Sequence, residues 1–184
     1  TGVQTCALPI LSASFCQALR SGRNRLIFWS CVVVMLLLQG WIYMVWDAML
    51  LRHIYPLVLH LPLILTLYGL TGKLLWSSIS VLTAYLCCQL RRWIALLVVA
   101  LVEGGPFLQN LVELIITVPL LLLLLRFVSP TVCLLGERSR RLQVQFGLIP
   151  ILYYIFDYAT RVYTDLLSGG APVVVEFMPF VCCV

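Results

Sequence analysis

The sequence predicts an all-α protein, a polytopic bundle of transmembrane helices with about six or seven membrane segments. Two observations lead to this prediction. Hydrophobic residues make up 62% of the 184 residues and charged residues only 10%, whereas a soluble domain carries about 25% charged residues. The mean hydropathy is +1.07, and the apolar residues are gathered in long runs. So few charges could not cover a water-soluble fold, and we expect the lipid bilayer to surround the chain.

The first membrane segment is predicted at residues 26–46. Its length of about 21 residues is enough to cross a hydrocarbon core of about 30 Å. A basic stretch, QALRSGRNR, precedes it, and the excess of arginine places the start of the segment in the cytoplasm. The far end is closed by an aromatic belt of the kind found at membrane interfaces, formed by Trp41, Tyr43 and Trp46.

The second and third apolar runs are less regular. The second, residues 54–71, contains Pro56 and Pro62 in its first half and ends at Gly72. Proline is tolerated in membrane helices where neighbouring groups satisfy the freed carbonyls. The third, residues 74–90, is short, contains four Ser or Thr residues, and is bracketed by Lys73 and by Arg91–Arg92.

The remaining runs are residues 93–102, 111–128 and 146–167, and a seventh begins at residue 171. The segment EGGPFLQN breaks the pattern between the fourth and fifth runs. The longest polar stretch covers residues 129–145 and is rich in arginine. We therefore predict a cytoplasmic loop there, with Arg91–Arg92 also at the cytoplasmic side.

The basic residues before the third run create a conflict. If all seven runs cross the membrane, Arg20, Arg23, Arg25 and Lys73 lie outside. If residues 74–90 form only a half-span or a re-entrant hairpin, these four residues return to the cytoplasm. We prefer this six-span version, because it follows the positive-inside rule and the third run is short and polar.

Both ends of the chain are expected to differ from the ends of a natural protein. Residues 1–10, TGVQTCALPI, match the conceptual translation of a common DNA sequencing adapter, and the codon phase of that adapter agrees with Leu11. We expect them to be an artefact without a role in the fold. The chain ends inside an apolar stretch, PVVVEFMPFVCCV, so residues 11–184 are expected to be the transmembrane domain of a longer protein.

Ionisable residues inside membrane segments are costly and are candidates for function. Asp157, Arg161 and Asp165 follow one another at a spacing of four residues, which places them on one helical face. Glu176, early in the seventh run, is a candidate partner of Arg161. This stripe either lines a ligand pocket open to the outside or forms a structural ion pair. His60, between two leucines, is expected to be a packed and hydrogen-bonded histidine.

Signatures of catalysis are missing from the sequence. It contains no GxSxG, HExxH, Walker or GxGxxG motif, so we expect no catalytic residue and no cofactor in this chain. The eight cysteines show no CxxC spacing, and a metal site is not expected. The basic residues stand at the ends of apolar runs, which favours a role in orienting helices and argues against nucleic acid as a partner.

Four segments resemble the membrane region of bacterial sensor histidine kinases that carry a GHKL-type ATPase domain: RHIYPLVLHLPLIL, SVLTAYLCCQLRRW, FGLIPILYYIFDYATRVYTDLL and PVVVEFMPFVCCV. The resemblance covers nearly all of residues 26–184. It implies that residues 11–184 are a sensor or anchor domain of a two-component system in the bacterial cytoplasmic membrane. It also implies a homodimer, a response regulator as partner, and a kinase domain beyond this chain that binds ATP and Mg. Neither His53 nor His60 lies in a kinase motif.

Two other classes of protein are alternatives. A small transporter or permease subunit would favour an inverted repeat with helices broken near the membrane midplane. The proline-interrupted second run fits this weakly, but no repeat is found. An intramembrane enzyme would need a paired nucleophile and base, which the sequence lacks.

Overall fold

The computed structural model describes residues 2–45, 54, 56–102 and 105–163, and side chains within nearly all of these ranges. This part of the chain is helical except for short turns, and it contains no strand. The all-helical prediction is therefore confirmed. The elements are α1 (Gly2–Phe15), a 3₁₀ turn (Ala18–Arg20), α2 (Gly22–Val45), α3 (Pro56–Thr71), α4 (Leu74–Val102), α5 (Pro106–Leu123, continuing through Leu124–Val128 to Ser129–Gly136) and α6 (Arg140–Tyr163).

Three of these helices are long and apolar enough to cross a membrane: α2, α4 and most of α5. Helix α3 is apolar but shorter. The predicted count of six or seven membrane segments is not supported by the described residues, and the seventh run lies outside them. The first predicted segment corresponds closely to α2, whereas its last aromatic residue, Trp46, lies outside the described residues.

The prediction that residues 74–90 form a half-span or re-entrant hairpin is wrong. They belong to α4, a continuous helix of 29 residues that also includes the fourth predicted run. At 1.5 Å per residue this helix is about 44 Å long. Arg91 and Arg92 do not interrupt it, because arginine is a good helix former and no glycine or proline lies between residues 74 and 102.

The prediction of a long loop at residues 129–145 is also wrong. Helix α5 continues to Gly136 and α6 begins at Arg140, so only residues 137–139 connect them. Two π-helical turns, Pro56–His60 and Leu124–Val128, each end two residues before a proline. A proline has no N–H to donate, and the wider π turn is one way for a membrane helix to accommodate that loss. This explains why the apolar helix persists past Pro130.

The turn between α3 and α4 lies where the sequence predicted it. Gly72 has a φ of 72°, a left-handed conformation that suits glycine, and its N–H donates to the carbonyl of Tyr68 at 2.7 Å. Just beyond the turn, Trp76 is almost completely buried and its indole N–H donates to the carbonyl of Phe15 at 3.3 Å. The same ring lies against Gly136 at the end of α5. The end of α1, the α3–α4 turn and the α5–α6 turn therefore meet at one end of the bundle, which we call the turn end.

The basic residues that created the topological conflict collect at the turn end. Chain connectivity places the start of α2 there, since it follows Phe15 by only a few residues. The six-span version placed these residues together by shortening the third run. The structure does so by joining the third and fourth runs into one helix. The residues brought to the turn end are Arg20, Arg23, Arg25, Lys73, Arg138, Arg140 and Arg141.

Residues 2–10 belong to α1, although we expected residues 1–10 to have no role in the fold. Leu8 is 1% exposed, and α1 packs against α4. The adapter origin of this segment stays a prediction. Apolar side chains such as Leu8 are favoured against any apolar helix surface, so composition alone accounts for the packing of α1.

Candidate functional site

Four polar or aromatic side chains meet between three helices: His60 from α3, Tyr85 from α4, and Tyr154 and Asp157 from α6. The turns explain why they meet. His60 lies twelve residues before Gly72 and Tyr85 thirteen residues after it, so both stand about 18–20 Å from the turn end. Helix α6 also starts at the turn end, and Tyr154 is reached after a comparable rise. We call these four residues the polar cluster.

Three rings of the polar cluster pack edge to face. Ring centroids are 5.1 Å apart for His60 and Tyr85, and 5.2 Å apart for each of the pairs His60–Tyr154 and Tyr85–Tyr154. The interplanar angles are 78°, 75° and 81°. Such aromatic pairs contribute about 0.5–1.5 kcal/mol each beyond the area they bury. The rings thus give three helices a common, closely fitted contact.

Two hydrogen bonds run through the polar cluster. His60 Nδ1 and the hydroxyl of Tyr154 are 2.8 Å apart, with donor and acceptor set by the histidine tautomer. The hydroxyl of Tyr85 donates to Asp157 Oδ2 at 2.5 Å, the short end of the range for hydroxyl–carboxylate hydrogen bonds. His60 and Asp157 are each only 4% exposed. These bonds join α6 to both α3 and α4. Breaking either bond would leave a buried polar group without that partner, which is costly.

A further aromatic contact secures α6 against α4. Tyr153, 1% exposed, packs edge to face on Trp93 with ring centroids 5.8 Å apart. Neighbouring residues of α6 therefore use different partners, Tyr153 on α4 and Tyr154 between α3 and α4. Helix α6 is thus held in both position and rotation at the level of the polar cluster.

The structure describes one member of the predicted acidic and basic stripe in full. Asp157 is buried in the polar cluster. Arg161 lies one turn further along α6, with its side chain outside the described residues, and Asp165 and Glu176 lie outside them altogether. The pairing of Asp157, Arg161 and Asp165 therefore stays a prediction.

Sequence reasoning missed the roles of Tyr85 and Tyr154. A signal was available, because a tyrosine inside an apolar helix usually finds a partner for its hydroxyl. The expectation for His60 is confirmed, since it is packed and hydrogen-bonded.

Two adjoining clefts open beside the polar cluster. The first has a volume of about 350 Å³ and lies between α3, α4 and α6, with His60, Ile64, Leu82 and Tyr154 among its walls. The second, about 310 Å³, is lined by Ile54, Pro56, Leu57, Tyr154 and Tyr158. The clefts share Pro56 and Tyr154. A hydrogen-bonded residue of the polar cluster thus also forms the wall of an open concave surface.

A second group of polar side chains lies at the turn end. The hydroxyls of Ser14 and Ser129 are 2.6 Å apart, and the thiol of Cys133 donates to the carbonyl of Ser14 at 3.2 Å. Burial raises the pKa of the nearby Cys16 thiol to about 11. Cys16 is therefore a protonated thiol at neutral pH, which disfavours thiolate chemistry there. These contacts join α1 to α5 and explain the packing of the turn end.

Arg91 does not stand at the end of a helix, contrary to the predicted segment boundary at Arg91–Arg92. It is 3% exposed within α4, and a terminal guanidinium nitrogen lies 3.5 Å from the hydroxyl of Thr117 on α5. Thr117 in turn donates to the carbonyl of Glu113 at 2.6 Å. The positive-inside rule counts residues in loops, whereas Arg91 lies within a helix and contacts a second helix.

The comparisons with known proteins give no family for this chain. No family model, no curated protein and no solved structure matches it.

Proposed function

We propose that this chain is the membrane sensor portion of a bacterial GHKL-type sensor histidine kinase. It transmits an external signal to a cytoplasmic, ATP-dependent kinase domain that is not part of this chain. One observation carries the proposal. Three of the segments that resemble this class of kinases supply the polar cluster: His60, Tyr85, and the pair Tyr154 and Asp157 come from three separate segments. Three of the four stretches that resemble the family thus meet in the interior.

The polar cluster suggests how a signal would cross the bundle. Helix α6 is fixed to α3 by the His60–Tyr154 bond and to α4 by the Tyr85–Asp157 bond. A stimulus that favours a different packing of α3 against α4 would break or re-form these bonds and so shift α6. A ligand produces such a shift only if it binds one arrangement more tightly than the other. In the proposed parent, α6 and the seventh run connect this motion to the kinase domain.

The proposal includes an orientation and a location. We place the protein in the bacterial cytoplasmic membrane as a multi-pass protein, with the turn end in the cytoplasm. The support is the collection of arginine and lysine residues at that end. A membrane-impermeant thiol reagent should fail to label Ser139→Cys in intact cells, in a background without native cysteines. Strong labelling in intact cells would reverse the orientation.

The partners follow from the resemblance. The intact parent is proposed to act as a homodimer, to use ATP and Mg in its kinase domain, and to pass a phosphoryl group to a response regulator. The first test is the coding sequence beyond Val184. A continuous reading frame should encode a coiled segment, a phospho-accepting histidine and a GHKL-type ATPase domain. A frame without them would refute the proposed function.

The second test uses the purified parent in lipid nanodiscs. Tyr85→Phe and Asp157→Asn should each change the autophosphorylation rate or its dependence on stimulus, because each alters a bond that holds α6. Tyr68→Phe is the matched control, since Tyr68 is 43% exposed on α3. Unfolding curves of all three variants separate a change in signalling from a loss of fold. Folded variants of Tyr85 and Asp157 that respond like the wild type would contradict the proposed role of the polar cluster.

A further inference from the structure

The first cleft is an open groove between three helices. Its volume of about 350 Å³ falls at the lower end of the range of about 300–1,000 Å³ that is usual for small-molecule sites. All three helices that share the polar cluster contribute to its walls. The adjoining cleft of about 310 Å³ extends this concave surface past Pro56 and Tyr154. A molecule longer than the first cleft could therefore continue into the second.

The chemistry of the walls restricts the occupant. Among the described residues that line the two clefts, none is Lys, Arg, Asp or Glu. Most lining residues are leucine, isoleucine or proline, and those with a polar group in the side chain are His60, Tyr154 and Tyr158. An ionic head group would lose its hydration without gaining a counter-charge. A single uncharged group that forms hydrogen bonds would suit the tyrosine hydroxyls.

The rim of the clefts indicates the route of entry. Leu57, Leu61 and Leu65 of α3 are 67%, 48% and 54% exposed. They belong to the apolar outer surface of a bundle whose longest helices are suited to a membrane. A ligand that reaches the clefts must first dissolve in this apolar surrounding, which requires a hydrocarbon portion.

From these observations we infer that the two clefts form a site for a neutral amphiphile, with a hydrocarbon tail and one uncharged hydrogen-bonding head such as an alcohol, ester or amide. The inference rests on the proposed function, because it names the chemical class of the signal. The tail lies along the apolar walls and the head reaches Tyr154. Since Tyr154 is bonded to His60 at 2.8 Å, a head group that competes for its hydroxyl weakens the link between α6 and α3.

The test uses photoreactive probes on the full chain in nanodiscs. Three diazirine probes share one medium-chain tail and differ in the head: a monoacylglycerol, a fatty acid and an alkyltrimethylammonium ion. Mass spectrometry maps the labelled peptides. The neutral monoacylglycerol should label residues 56–65 saturably and more strongly than the two charged probes. Equal labelling by all three, or stronger labelling by a charged probe, would overturn the inference.

Single-residue variants distinguish labelling inside the clefts from labelling at the general lipid-facing surface. Ile64→Trp places a large ring in the first cleft and should abolish saturable labelling. Ile115→Trp is the matched control, because Ile115 is 63% exposed on α5, and it should label as the wild type does. Tyr154→Phe removes one hydrogen bond to the head and should weaken apparent binding by about 2–10-fold. If Ile64→Trp and Ile115→Trp label alike, the probe reports only lipid contact and the inference fails.

The result of the labelling test can be told apart from the result of the tests of the proposed function. Labelling needs only this chain, whereas autophosphorylation needs the parent. An active parent kinase whose clefts do not label would refute the neutral ligand alone. Saturable labelling of this chain, together with a reading frame beyond Val184 that encodes no kinase domain, would keep the binding site and refute the kinase.

Discussion

Helices α4 and α5 differ in a way that is characteristic of a membrane interior. Both helices are long enough to cross a membrane. The most apolar stretch of 18 residues has a mean hydropathy of 1.7 in α4 and 2.5 in α5. Yet 39% of this stretch is buried inside the protein in α4, and only 11% in α5. The less hydrophobic helix is thus the more buried one. In water the reverse would be expected, since apolar surface is driven inward.

The reason lies in the side chains that each helix presents. Helix α4 buries a series of polar groups, Ser77, Ser80, Thr83, Gln89 and Arg91. Lipid offers such groups no hydrogen bonds, so they are placed more favourably against other helices than against lipid. Helix α5 instead exposes leucine, isoleucine and phenylalanine, which lipid solvates as well as protein does. Polar content therefore reports the position of a helix within the bundle and does not show that it fails to span.

The largest difference between the two helices should come from truncating one isoleucine on each. Ile79 on α4 is 1% exposed and contacts Gly147 of α6, whereas Ile115 on α5 is 63% exposed. Ile79→Ala should lower the free energy of unfolding by about 2–5 kcal/mol, because it leaves a cavity. Ile115→Ala should change it by less than about 0.5 kcal/mol. Unfolding by SDS in mixed micelles measures both. Equal losses would show that α5 is packed against protein and would remove the contrast.

A smaller effect is expected at the polar cluster. Tyr85→Phe removes the hydroxyl that donates to Asp157 and should cost about 1–3 kcal/mol, because it leaves a buried acceptor. Tyr68→Phe, on the exposed side of α3, serves as the control in the same unfolding assay. In an Asp157→Asn background the loss from Tyr85→Phe should shrink. An undiminished loss in that background would mean that the two side chains are not coupled.

The smallest effect concerns the contact between α4 and α5 at the turn end. A Cβ added at Gly136 would lie 2.6 Å from Trp76 Cε2 and Nε1. Gly136→Ala should therefore destabilise by about 1–2 kcal/mol, the lower part of the range for overpacking. Gly69→Ala is the control, since a Cβ there meets no heavy atom within 4 Å. It should be neutral or stabilising by up to about 1 kcal/mol. A stabilising Gly136→Ala would show that Trp76 does not pack against the end of α5.

The features that sequence reasoning predicted correctly depend on local chemistry. The apolar run of α2 is continuous and uncharged between Leu26 and Val45, so its length alone identifies it. The end of α3 depends on Gly72, whose left-handed conformation is available to glycine at little cost. The burial of His60 followed from its apolar neighbours. None of these predictions required knowledge of which helices are adjacent.

The predictions that failed concern features that depend on contacts between helices. Arg91 was taken as the end of a segment because charge in hydrocarbon is costly, but Thr117 on α5 supplies a polar contact that the sequence does not reveal. The polar, arginine-rich sequence of residues 129–145 predicted a loop, although α5 stays helical as far as Gly136. The meeting of Tyr85 with Asp157 required the correct turns at residues 72–73 and 137–139. With an extra loop predicted in between, the two residues could not be brought to the same level.

The continuity of α4 is the central claim, since it fixes both the topology and the position of the polar cluster. Leu74 and Leu101 stand near its ends and are 51% and 85% exposed, so spin labels fit at both. In a background without native cysteines, the distance between labels can be measured by pulsed electron paramagnetic resonance in nanodiscs. A single helix predicts a distribution centred at about 40 Å, since 27 residues rise 1.5 Å each. A distribution centred at about 25 Å or less, as a re-entrant hairpin over residues 74–90 would give, would contradict the account.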